Sequence, residues 1–123
     1  MTIRHVVAAA FLALTSGLAL AHEAAKGPNG GLRVDAGIFH TELVADGTTT
    51  VVVFLGDAEQ KPLPANGFKA NAILVVDGKP QRFSLEFTEG SKLVGTAPVP
   101  IAAGVKGAVQ VTAPDGTTGQ GKF

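Results

Sequence analysis

The chain has 123 residues, with ten basic and ten acidic side chains and no formal net charge. No basic run marks a nucleic-acid or anionic-membrane partner. There is no cysteine and the single methionine is Met1, which excludes disulfides, thiolate metal ligands and a thioether copper(I) site in a processed chain.

The first segment reads as an export signal. Arg4 and His5 make a short basic start, residues 6–14 are an uncharged apolar run, and Ala19-Leu20-Ala21 supplies small residues at the cleavage positions. Residues 6–21 are too few for a membrane span, which needs roughly 20, and Thr15, Ser16 and Gly17 interrupt them. Cleavage after Ala21 is expected, with cleavage after Ala19 the alternative. The domain organisation expected is a signal peptide over 1–21, a flexible arm and turn over 22–31, and a β domain over 32–123. The processed chain would lie in the periplasm without inserting in a membrane, with one more acidic than basic residue.

Residues 22–31 (HEAAKGPNGG) are polar and glycine-rich, as in an arm ending in a turn. From Leu32 onward short β-prone runs alternate with turn residues. Strands are predicted over 32–36, 38–45, 48–57, 69–76, 82–87, 92–97, 107–113 and 117–123. Asp46-Gly47, Asp77-Gly78 and Asp115-Gly116 are hairpin turn signals. Within 38–45, Phe39 and Leu43 share one side, and Ile38, His40, Glu42 and Val44 the other. The run 51–55 is apolar at every position, as for a central strand between two packed layers. Phe83, Leu85 and Phe87 alternate inward against Arg82, Ser84 and Glu86. About eight short strands at this turn spacing predict an all-β fold, a single small Greek-key β-sandwich, with a small closed barrel as second choice.

Few residues can carry chemistry. Ser84 and Ser91 are the only serines after the signal, and Ser84 sits mid-strand, so no hydrolase nucleophile is in view. Residues 27–31 precede a strand and not a helix, so they read as a turn and not a phosphate loop. Tyr and Trp are absent, which weighs against a sugar-binding face and a polymer-cleaving copper oxidase. The chain is therefore not expected to be an enzyme.

Processing after Ala21 leaves two histidines, His22 and His40. A histidine at the amino terminus offers its α-amine and ring Nδ1 to one ion. That amine, with an ordinary pKa of about 7.7–8.0, loses its proton to a metal at little cost near neutral pH. A nitrogen-rich planar set favours copper(II), with zinc second. His40 is the one other imidazole. Glu42, two residues on and facing the same way, is the candidate oxygen ligand or orienting partner. Asp35 and Glu23 are further oxygen candidates. The candidate metal set is thus His22, His40 and Glu42. The competing reading makes the arm merely mobile and the His40 side of the strand ordinary solvated surface.

Residues 26–47 (KGPNGGLRVDAGIFHTELVADG) resemble the start of small periplasmic proteins related to the N-terminal domain of heavy-metal efflux adaptor subunits. The shared elements are the Gly27-Pro28-Asn29-Gly30-Gly31 turn and the run Gly37-Ile38-Phe39-His40-Thr41-Glu42-Leu43. Residues 57–67, with Lys61-Pro62-Leu63-Pro64, resemble the loop that follows in that group. Lys26 stands where the pattern has a histidine, which leaves His22 to replace that ligand. The resemblance implies a periplasmic home, a role in metal carriage or resistance, and an efflux adaptor or other envelope protein as partner. A looser similarity, through His22 and the β pattern, is to periplasmic copper carriers with an N-terminal histidine. The alternative function is a non-enzymatic envelope interaction module without metal.

Overall fold

Alternating apolar side chains and Asp-Gly turns make this an all-β chain. The computed structural model describes residues 24–123. The segment expected to be a signal peptide, with His22 and Glu23, lies outside the described residues. The strands are β1 (Ala25–Lys26), β2 (Leu32–Ala36), β3 (Phe39–Ala45), β4 (Thr50–Gly56), β5 (Lys69–Val76), β6 (Lys79–Glu89), β7 (Lys92–Thr96), β8 (Lys106–Thr112) and β9 (Thr118–Lys122). The eight predicted strands are β2 to β9, with ends shifted by up to three residues. β1 is an addition, inside the stretch read as an arm.

All pairings are antiparallel and lie in one sheet, in the order β1-β2-β3-β4-β7-β6-β5-β8-β9. A further pairing of β2 with β9, Ala36 opposite Gly121, closes β2 to β9 on themselves. The expected pair of facing sheets is therefore replaced by a closed, barrel-like one. The order β8-β5-β6-β7 is nevertheless that of a Greek key. Closure brings together, at the Ala36–Gly121 pair, the two edges that an open sheet leaves bare.

The inside is filled by one side of each strand. Leu43, Val51, Val53, Leu55, Leu74, Leu85, Leu93, Val109 and Val111 are buried together, and the Phe39 and Phe68 rings meet edge to face at 5.4 Å. Phe83 and Phe87 are partly buried against this core. In β4 the alternation is one-sided. Val51, Val53 and Leu55 are buried, while Val52 and Phe54 are only half-buried on the outer face, where Lys92 Nζ lies 5.9 Å from the Phe54 ring centre. A barrel wall has one inside, so the second packed layer expected for this strand is absent.

The turns follow their residues. Asp77 and Gly78 both have positive φ, at 51° and 74°, as a type I′ hairpin requires. Between β2 and β3 the chain turns on Gly37 and Ile38, with Gly37 at φ 62°.

Candidate metal centre

The β2–β3 hairpin sets the site. Its register places Asp35 directly opposite His40 and Arg33 opposite Glu42. Directly opposed residues project from the same face of a sheet, so these four side chains share the outer face, away from the core. Across the next pairing, His40 faces Gly56 and Glu42 faces Phe54.

This outer face is covered, contrary to a solvated surface. His40 is 6% exposed and Glu42 3%. Two loops, the turn 27–31 and the loop 57–62, border a small pocket of about 70 Å³ whose lining includes Pro28, Asn29, Arg33, His40, Glu42 and Gln60.

Glu42 holds the turn. Its Oε2 accepts the backbone N–H groups of Asn29 at 2.9 Å and Gly31 at 2.8 Å. Its Oε1 accepts the Asn29 side-chain amide at 2.9 Å and shares the Asn29 N–H at 3.2 Å. The glycines make room for this. A Cβ on Gly27 would stand 2.2 Å from the Glu42 carboxyl carbon, and one on Gly31 would stand 2.2 Å from the Leu43 carbonyl oxygen. Gly30, at φ 84°, supplies the left-handed step. The turn thus owes Gly27 to the carboxylate it wraps, Gly31 to the close approach of the Leu43 backbone and Gly30 to its left-handed conformation.

His40 is held from the other side. Its Nδ1 lies 2.7 Å from the Asp57 carbonyl oxygen. A carbonyl only accepts, so Nδ1 carries a proton and donates it. Nε2 faces Asp35 Oδ1 at 2.9 Å. The 57–61 loop that presents the carbonyl is tied to itself. Asp57 Oδ1 accepts the N–H groups of Glu59 and Lys61, each at 2.9 Å, and the Asp57 N–H donates to the Lys61 carbonyl at 2.8 Å. A ring fixed through Nδ1–H to a backbone carbonyl offers Nε2 for other chemistry, as metal-ligating histidines commonly do.

Of the sequence candidates, His40 and Glu42 share a face but are held by different loops, and Asp35 is the carboxylate that reaches the imidazole. His22 lies outside the described residues. Among the described residues no group of three or more His, Asp or Glu side chains gathers around one point. The Asp35–His40 pairing was readable: Gly37 before Ile38 suits a two-residue hairpin, and counting outward from it brings Asp35 opposite His40. Without that count Asp35 is only a further oxygen candidate with no assigned facing.

No protein-family model, curated protein or solved structure matches the chain.

Proposed function

We propose that this chain is an exported periplasmic metal-binding protein, taking copper(II) first and zinc second, that carries or buffers the ion in metal resistance and serves an efflux system. The observation that carries the reading is the setting of His40, with Nδ1 donating to the Asp57 carbonyl and Nε2 turned to a carboxylate. Two further nitrogens, the α-amine and ring of His22, would complete a set that suits copper(II).

The path of the chain supports this. Ala25 pairs with Arg33 and Lys26 with Leu32, antiparallel, so the chain enters β1 from the Asp35 end of β2. His22 precedes Ala25 by three positions, a reach of at most about 10 Å of extended chain. Asp35 lies two residues beyond Arg33, roughly 7 Å along the strand.

Isothermal titration tests the proposal. The full-length chain, expressed with its own leader and recovered from the periplasm, is expected to begin at His22 by intact mass. It should bind one copper(II) at least a hundredfold more tightly than a His22→Ala, His40→Ala double variant. Equal affinity, or a different first residue, would remove the chelate.

A second reading, a docking module without metal, draws on Ile73 and Val75, which are 38% and 45% exposed on the outer side of β5. Recovery of an envelope partner unchanged by chelator, and lost in Ile73→Ser, would favour it.

A further inference from the structure

The geometry points to Asp35 as the oxygen ligand of the ion held by His40, with Glu42 as a positioning residue that acts through the turn 27–31. This inference rests on the metal-binding reading above and assigns its carboxylate.

A first-row divalent ion sits about 2.0–2.1 Å from imidazole nitrogen and about 2.0–2.2 Å from carboxylate oxygen. Two such donors at a right angle are therefore roughly 2.9 Å apart, and at the tetrahedral angle roughly 3.4 Å. His40 Nε2 and Asp35 Oδ1 are 2.9 Å apart, which matches adjacent corners of a square set, the copper(II) preference. On loading, lone pairs of His40 Nε2 and of the Asp35 carboxylate would both go to the ion.

Asp35 stands directly across the hairpin from His40, where opposed Cβ atoms are about 5 Å apart, so a short carboxylate spans the gap. Glu42 lies two residues along β3 from His40, about 7 Å away, and its oxygens already take the N–H groups of Asn29 and Gly31. The Asp35 side chain is 29% exposed while its Oδ1 and the facing His40 Nε2 are buried, and the Glu42 carboxylate is committed to the turn it holds.

The test uses the processed protein recovered from the periplasm, with Cu(II) or Zn(II) as the probe. In copper EPR, Asp35→Asn is expected to weaken binding at least tenfold and to change the hyperfine pattern, while Asp35→Glu restores an oxygen signature. Glu42→Gln should keep the parent pattern even where affinity falls. A measurement on the parent protein makes the result independent of how the variants fold. At one equivalent of zinc, the Asp35 carboxyl carbon should shift in the NMR spectrum and the Glu42 carboxyl carbon should not. A Glu42 shift without an Asp35 shift, or an Asp35→Asn variant with parental spectrum and affinity, overturns the assignment and leaves the metal reading standing. Parent protein that binds copper no better than the His22→Ala, His40→Ala variant overturns the metal reading itself.

Discussion

Glu42 shows how one buried carboxylate can organise a glycine-rich turn. Three donors converge on it, two from the backbone and one from the Asn29 amide. Hydrogen bonds to a charged acceptor contribute about 1.5–3 kcal/mol each when broken singly, and a buried donor left facing nothing adds to the loss. Glu42→Gln keeps the volume but replaces one oxygen by an NH₂ group. An NH₂ at the Oε2 position sets a donor against two backbone donors, one at the Oε1 position requires the Asn29 amide to turn over, and the charge is lost either way. We expect a loss of about 2 kcal/mol, or a melting temperature lower by about 10 °C for a domain of this size. Scanning calorimetry of the two proteins measures it, and an unchanged melting temperature would mean that the turn holds without the charge. Gly27→Ala attacks the same lock sterically and should lower the melting temperature as well.

At the scale of elements, two hairpin turns contribute to acid sensitivity. Thr48 bonds Asp46 through its hydroxyl at 2.6 Å and its N–H at 3.1 Å, and the Thr117 N–H bonds Asp115 at 2.9 Å. These bonds hold both carboxyls below the ordinary aspartate range. A carboxyl with a lower pKa in the folded chain stabilises it above the unfolded value, near about 4, and loses that contribution as pH falls through the folded value. The Asp46→Asn, Asp115→Asn double variant should therefore show a shallower loss of stability below about pH 4 than the parent. Urea melts between neutral and strongly acid pH compare the slopes, and parallel curves would rule these turns out as the titrating groups. The same turns explain how much of the fold was legible. Asp-Gly pairs and strict alternation marked the turns between β3 and β4, β5 and β6, and β8 and β9, because both signals are local. The two-residue β1 has no period to detect, and only its pairing with β2 makes it a strand. The side of β3 that bears His40 and Glu42 followed from alternation. Its burial did not, since the cover comes from 27–31 and 57–62, segments that look like ordinary loops until Glu42 and His40 are seen to hold them.

At the scale of the molecule, the closed barrel ranked only second from the sequence, because closure depends on strands at opposite ends of the chain. At the seam with β2, β9 presents two glycines, Gly119 and Gly121. A Cβ on Gly119 would stand 2.0 Å from the Ala36 carbonyl oxygen, and one on Gly121 would stand 2.7 Å from Thr41 Oγ1. Backbone cannot swing aside as a flexible side chain can, so a methyl at position 119 must push the strands apart. Overpacking commonly costs about 1–3 kcal/mol, and here it also breaks pairing, so Gly119→Ala should destabilise by about 3 kcal/mol or more. Gly47→Ala is the matched control. Its φ is 89° but its Cβ would meet nothing within 4 Å, so only the left-handed conformation, about 1 kcal/mol, is at stake. Urea unfolding of both variants separates the two effects through the midpoint. A smaller slope for Gly119→Ala would add that the seam had opened in the folded state, leaving less surface to expose. The seam also bears on the metal reading, because Ala36 is the neighbour of Asp35 on β2. If β2 is pressed out of place, Asp35 loses its station opposite His40, and Gly119→Ala should bind copper less tightly than Gly47→Ala at temperatures where both remain folded. Equal affinities in the two variants would show that the hairpin alone, without the closed sheet behind it, holds the pair.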